Sequence, residues 1–292
     1  YDGIFDRRMQ QPSPKRIPFK EIQTILELYR TQYRDFNVTH FHEKLQEHHN
    51  ITRGYTFVKR ALQTAGLVQK VSSRGKHRKK RPRRPLVGMM LHIDGSTHEW
   101  LPDLPDVLFD LLVLMDDATG EIYEMELVDE EGTLSCMRLL RDCVATHGIF
   151  CSLYSDRAGH FFFTPKAGGK VFEGHLTQIG RALTELGIRP IPAYSPQARG
   201  RGERINGTLQ GRLCNEFRLH GIKTKEAANR FIQDVYIRQH NKRFAVKPEQ
   251  AGSAFVPIQA HLDLDLVFSV KEERTVGHDN TITFERIILQ IE

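Results

Sequence analysis

The 292-residue chain has no run of eighteen apolar residues, and residues 1–20 lack the apolar stretch of a secretory signal. Neither a membrane span nor export is therefore expected, and a cytoplasmic setting fits. Cysteine is scarce. Cys136, Cys143, Cys151 and Cys214 never fall into a CxxC spacing, which argues for reduced structural thiols rather than disulfides. The histidines at His40, His42, His48 and His49 stand without paired cysteines and so give no zinc-finger pattern. Internal repeats are absent too. What the chain does have is length for two or three domains and a hydrophobic fraction of 39%, ample for a sizeable core.

Charge is unevenly spread. Residues 1–87 carry twenty Lys and Arg against seven Asp and Glu, a net +13, which leaves −7 for the remainder of a chain whose total is +6. A basic front end suits a polyanion such as DNA, whereas an acidic remainder repels phosphate unless its carboxylates are concentrated where cations neutralise them. The class this implies is DNA binding coupled to metal chemistry.

Between 18 and 67 the apolar residues recur at helical spacing: Ile22, Ile25 and Leu26, then Phe41 and Leu45, then Val58, Leu62 and Leu67. Three short helices are expected. Thr52 reads as the cap of the third and Gly66 as its end, which places Arg53, Tyr55, Thr56, Lys59 and Arg60 on or near its exposed first half. In a helix-turn-helix unit such positions meet base edges and phosphates; a small helical bundle with a solvated basic face gives the same pattern. Residues 70–85 form a linker almost free of apolar side chains. Its Lys76, Arg78, Lys79, Lys80, Arg81, Arg83 and Arg84 suit either phosphate tracking or a plain tether.

From 86 to 250 strand and helix signals are mixed. Strands are expected at 87–93, 107–115, 122–127 and 149–154, and helices at 134–146, 176–186 and 203–219. Three strands before the first helix point to an α/β fold with a mixed sheet flanked by helices rather than a doubly wound parallel sheet. Further strands at 266–270 and 281–291, around the turn-like Gly277-His-Asp-Asn280, suggest a small β module. The division is thus 1–69 for the basic helices, 70–85 for the linker, 86–252 for the core and 253–292 for the β module.

Three carboxylates have contexts that are odd for surface charges. Asp94 ends the apolar run Gly88-Met-Met-Leu-His-Ile93 and precedes Gly95, so it reads as a carboxylate at a strand's end with space for a ligand. Asp156 follows a second apolar run, 149–154. Glu203 opens a helix after the Gly- and Arg-rich loop 194–202, where the helix N-terminus favours a negative charge. The stripe Ile205, Leu209, Leu213 and Phe217 is expected to pin that helix against the sheet. Mg²⁺ takes hard oxygen ligands and shares phosphate oxygens, so three carboxylates suffice for two such ions.

The strings HIDGS, YSDRAGHF and SPQARGRGERINGTLQ, behind a basic helical segment, resemble the integrase-type DDE transposases of bacterial insertion sequences, in particular the ISNCY-like group of the retroviral integrase superfamily. The likeness extends over nearly the whole chain, including residues 7–17 and 229–244. It implies a ribonuclease-H-like core preceded by a helix-turn-helix domain, with Asp94, Asp156 and Glu203 as catalytic ligands of two Mg²⁺ or Mn²⁺ ions. It also implies double-stranded DNA, as transposon ends and target, for a partner, a homo-oligomer, and a bacterial, nucleoid-associated setting. Tyr1 does not read as a native start, so a fragment lacking further DNA-binding helices is expected.

Two features depart from the pattern. Forty-six residues separate Asp156 from Glu203, more than in many relatives, which implies an insertion around 163–174 folded as a hairpin or lid. The common Asp-Asn-Gly is replaced by Asp156-Arg-Ala-Gly159. Asp116 and Asp117 also follow an apolar run, but Asp-Asp-Ala-Thr-Gly120 is a good turn and they are read as structural. Glu216 and Glu226 are expected to be solvated, and His92 and His160 to pack or position substrate rather than ligate metal. Arg199, Arg201 and Arg204 suit phosphate, with Ser195 and Gln197 on backbone or base. A ribonuclease-H-type nuclease that never joins strands and a domesticated DNA-binding regulator are the rival readings.

Overall fold

The computed structural model describes residues 17–70, 81–166, 169–172, 174–194, 200–284 and 286–291. It divides into two compact units, one made of Trp100–Pro105, Ile205–Lys223 and the described part of Tyr1–Lys80, the other of Arg81–Glu99, Asp106–Arg204 and the described part of Thr224–Glu292.

The first unit is helical. Helix α1 (Phe19–Thr31), α2 (Val38–His49) and α3 (Tyr55–Thr64) bury Ile25, Tyr29, Tyr33, Phe36, Phe41, Leu45, Val58 and Leu62 in one cluster, a helix-turn-helix-like arrangement. Asn37 caps α2 by accepting from the His40 N–H at 2.9 Å, and Asn50 ends it in the left-handed region at φ 54°. Thr52 does not cap α3. Gly54 does, with no side-chain bond, and Gly66 turns the chain away at φ 69°.

A single helix from 203 to 219 was expected; instead Gly202–Gln210 (α6) and Leu213–Leu219 (α7) are separate, broken at Arg212, whose ψ of −49° comes with φ −132°. The apolar stripe is buried, and Ile205, Leu209, Leu213 and Phe217 all belong to the helical unit. Polar bonds tie this segment to α2. Arg212 forks onto Glu43 at 2.6 and 3.0 Å. Glu216, expected in solvent, is 4% exposed and accepts from His40 Nε2 at 2.6 Å and Lys44 Nζ at 2.8 Å.

The second unit is built on a five-stranded mixed sheet in the order β3-β2-β1-β4-β5: β1 Leu91–His98, β2 Phe109–Asp116, β3 Ile122–Val128, β4 Ser152–Ser155 and β5 Arg189–Pro192. β1, β2 and β3 are antiparallel neighbours, while β4 pairs parallel with both β1 and β5. This is a ribonuclease-H-like core. The run Leu111-Leu-Val-Leu-Met115 is buried throughout because β2 is an interior strand with both faces covered. Helix α4 (Thr133–His147) lays Cys136, Met137, Leu140, Cys143 and Val144 on Leu91, Ile93, Leu112, Leu114 and Leu153. Gly148 ends it at φ 96°, where a Cβ would stand 2.6 Å from the Val256 carbonyl oxygen. β5 was absent from the expected strands. Its two prolines are tolerated because it is an edge strand.

The other edge, β3, is covered by α8 (Lys225–Phe231), a π turn (Ile232–Tyr236) and α9 (Ile237–Phe244). Asn229 bonds both the N–H and the carbonyl of Leu127, at 2.7 and 2.9 Å, and Asn241 does the same for Ile122 at 2.8 and 2.7 Å. Between them Gln233 donates to the Met125 carbonyl at 2.9 Å. Side-chain amides thus satisfy backbone groups that an open edge would offer to another strand.

Helix α5 (Gln178–Glu185) leads into β5. The segment expected as an insertion turns back on itself, with the Phe172 N–H donating to the Phe163 carbonyl at 2.9 Å, and a cavity of about 200 Å³ opens among Phe163, Phe172, His175, Pro192 and Tyr194. Ser253 and Val256 bridge to Val87 and Ile149, and Phe255, Ile258 and Leu262 pack on the core. The strand expected at 266–270 is instead a short helix, α10 (Leu264–Val267), because Asp263 caps it by accepting from the Asp265 and Leu266 N–H groups. β6 (Thr281–Phe284) and β7 (Ile287–Gln290) then form a hairpin. Its strands meet at Arg286, φ 67°, rather than around Gly277–Asn280. No helix among the described residues is long and apolar enough to cross a membrane.

Candidate active site

Asp94 is the fourth residue of β1, not its last, because Gly95, Ser96 and Thr97 continue the pairing opposite Leu112, Leu111 and Asp110. Parallel pairing sets Leu91 opposite Leu153 and His92 opposite Tyr154. Carried two residues further, the same register sets Asp94 beside Asp156, the residue after β4. Equal spacing along adjacent strands points both side chains to one face. Asp156 is fixed locally by accepting from the Ala158 N–H at 2.9 Å.

The third carboxylate approaches by backbone. Gly202 heads α6 and lies so close to Asp94 that a Cβ there would overlap the Asp94 carboxylate. Glu203 follows it, exposed in the first helical turn, where the N-terminal dipole favours an anion. His92, Ile93, Asp94, Tyr154, Ser155, Asp156 and Gly202 line a cleft of about 10 Å³. The donors are oxygens of hard character, which suits Mg²⁺ or Mn²⁺.

Asp116 and Asp117 are fully buried and already engaged. Asp116 accepts from the N–H groups of Gly88 and Thr119 at 2.9 Å each. Asp117 is a hub: His92 Nε2 at 2.7 Å, Arg81 Nη2 at 2.6 Å, the Arg84 N–H at 2.7 Å and the Arg201 guanidinium all meet its carboxylate. Burial alone would raise its pKa, but the bonds from His92, Arg201 and Arg84 hold it well below the usual carboxylate range. Sequence reasoning missed this role. The signals were two acids closing an apolar run and a histidine two residues before Asp94. The hub joins that histidine to an arginine two residues before Glu203, and so ties the strand carrying Asp94 to the loop that leads into Glu203.

The residues expected to contact DNA are placed unevenly. Tyr55, Thr56 and Arg60 are exposed on α3, and Lys59 stands over the Tyr55 ring at 5.9 Å. Arg53 lies ahead of α3 and forks onto Glu21 at 2.7 and 2.8 Å. Arg81 and Arg201 are engaged with Asp117, and Arg83 donates to the carbonyls of Asp117 and Ala118 at 3.0 and 3.3 Å. Arg84 and Arg204 are exposed. Lys76, Arg78, Lys79, Lys80, Ser195, Gln197 and Arg199 lie outside the described residues. His160 pairs with Glu131 at 3.1 Å, while His42 bonds the Arg53 carbonyl and His49 the Tyr33 hydroxyl.

No family model matches the chain. Over 291 residues, 99% of its length, it is 34% identical to a protein of Sinorhizobium fredii (strain NBRC 101917 / NGR234) named "Putative transposase y4bF". Over 206 residues, 70% of its length, it is 31% identical to the transposase for insertion sequence IS1202 of Streptococcus pneumoniae. The chain is a homologue of insertion-sequence transposases. It spans 63% and 43% of the length of these two relatives. Among solved structures it is similar to a simian T-cell lymphotropic virus intasome in complex with the PP2A regulatory subunit B56 gamma, at 17% identity and a TM-score of 0.40, with 72% of this chain and 69% of that one covered. It is also similar to the HTLV-2 integrase catalytic core domain in complex with magnesium, at 14% identity and a TM-score of 0.38, with 52% and 91% covered.

Proposed function

We propose that this transposase homologue cuts phosphodiester bonds at transposon ends and joins them to target DNA, using Asp94, Asp156 and Glu203 as ligands of two divalent ions, Mg²⁺ or Mn²⁺. The observation that carries the reading is the register of β1 and β4, which brings Asp94 beside Asp156, together with the contact of Gly202 on Asp94 one residue ahead of Glu203. Bound metal supplies the acidity that activates a water or 3′ hydroxyl and the charge that stabilises the leaving oxygen. Asp94 and Asp156 offer oxygens from a rigid sheet, which fixes their separation, while Glu203 offers its own from a helix terminus. Tyr154 lines the cleft beside them. Arg204, exposed next to Glu203, is placed to hold a neighbouring phosphate without reading sequence. The exposed face of α3 with Tyr55, Thr56, Lys59 and Arg60 reads the element ends, and the protein acts as a homo-oligomer on paired ends.

A labelled element end incubated with the protein, with and without Mg²⁺, tests this in one gel. The wild type yields cleaved and joined products only with the metal. Asp156→Asn binds the end but yields neither; a variant that retains both reactions overturns the assignment, and cleavage without joining replaces it with a nuclease.

A further inference from the structure

A second group of metal-ligating side chains stands in the sheet-bearing unit. Glu131 lies in the turn between β3 and α4, Cys136 in the first turns of α4, and His160 four residues beyond Asp156. One ligand atom from each falls within 4.8 Å of the others, with His160 Nε2 and Glu131 Oε1 at 3.1 Å. Cys136 is fully buried, whereas Glu131 and His160 keep 24% and 15% of their side-chain surface, so the group has a closed floor and an open mouth. The position of Glu131 is built in. Its N–H donates to Asp110 at 2.7 Å, and its carboxylate occupies the space that a Cβ on Gly95 would fill. Glycine at 95 therefore lets this turn settle onto β1, beside Asp94.

From this geometry we infer that Glu131, Cys136 and His160 form a site for a thiophilic divalent ion of the Zn²⁺ class, separate from the carboxylate cleft. Sulfur, imidazole and carboxylate are the ligand types Zn²⁺ takes, and three protein ligands leave a fourth position for water. The thiolate discriminates against Mg²⁺, which requires hard oxygen donors. Around a tetrahedral Zn²⁺ the ligand atoms stand roughly 3.3–3.8 Å apart, so side-chain movement of about 1 Å closes the set. Burial, and then the Glu131 and Asp156 carboxylates, push the Cys136 thiol up, so it stays protonated without a cation. On metal binding its proton leaves to solvent and the Zn–S bond forms. The ion would fasten the turn after β3, the start of α4 and the segment after β4 to one another. That segment carries Asp156, so the site braces a ligand of the proposed reaction without sharing its chemistry.

Cobalt(II) titrated into chelator-stripped protein tests the inference without any assay of activity. The expected result is one equivalent of Co²⁺ bound with a near-ultraviolet thiolate charge-transfer band, displaced by Zn²⁺ and not by excess Mg²⁺. Cys136→Ser abolishes the band. His160→Gln, at a partly exposed position that leaves the core intact, weakens Co²⁺ binding about tenfold or more. Asp94→Asn and Asp156→Asn retain the band, so failure of the phosphoryl-transfer reading would leave this one standing. A wild type without the band, or a band that survives in Cys136→Ser, overturns the site.

Discussion

Replacing Glu216 by glutamine keeps shape but removes the charge on which two buried side chains depend. In the wild type, burial raises the Glu216 pKa, and hydrogen bonds from His40 and Lys44 more than offset this, bringing it down to about 2. Against the ordinary 4.5, that difference corresponds to roughly 3 kcal/mol of stabilisation at neutral pH. Breaking a buried pair by deleting one member independently suggests about 3–5 kcal/mol, because Lys44 is left without its counter-charge. The sign follows from the depressed value. The stabilisation is complete above the unfolded pKa of 4.5 and disappears as pH falls toward about 2. Trp100 is the only tryptophan, is fully buried and belongs to the same unit as Glu216, so its fluorescence reports this unit. With a urea m-value of about 1–3 kcal/mol/M, the midpoint of Glu216→Gln should fall by roughly 1–3 M near neutral pH. The gap to wild type should close between pH 4.5 and 2. A neutral-pH midpoint equal to wild type, or a gap that persists unchanged at the acid end, would refute the reasoning.

Gly202→Ala should lower DNA cleavage about 100-fold through displacement of the Asp94 carboxylate. Its melting temperature should not fall, since alanine favours helix; unchanged cleavage kinetics would remove Gly202 from the site. Asn229→Ala and Asn241→Ala each leave a β3 N–H and carbonyl without their amide partner, so each should cost about 1–3 kcal/mol in urea unfolding and raise aggregation on light scattering. Glu124 is pushed up to about 7, chiefly by burial and then by Asp142, so its folded form prefers the proton. Stability from that preference is present below pH 4.5 and lost as pH rises through about 7. Glu124→Gln should therefore raise the melting temperature above neutral pH and leave it unchanged near pH 4, as scanning calorimetry would read.

Local sequence carried much of this fold but not its pairings. The unbroken run from Leu111 to Met115 identifies an interior strand by itself, and Glu203 sits at a helix start that its glycine- and arginine-rich approach already marked. Asp94 was harder to place, because Gly95 reads as a stop and only the β2 partner shows that the strand continues. Its proximity to Asp156 is a matter of parallel register between segments some sixty residues apart, which no local pattern encodes. The stretch Leu262-Asp-Leu-Asp-Leu266 alternates with strand period, yet the Asp263 side chain captures two N–H groups and makes a helix. Glu216 looked like any charged residue on a helix until its partners, His40 and Lys44, arrived from far upstream.

The π turn at Ile232–Tyr236 sets the phase of the helical segment that covers β3. Asn229 and Asn241 are twelve residues apart, which in an uninterrupted α-helix leaves their side chains about 120° out of step. A turn closed by the Ile237 N–H on the Ile232 carbonyl winds less per residue and draws the second amide back toward the first. The wider turn thus works as a vernier between two periodicities, helical on one side and pleated on the other. Ordinary winding at unchanged length would swing Asn241 away from Ile122 and unfasten one end of the strand, whereas deleting one residue within the turn leaves the two amides only about 20° out of step and both ends held.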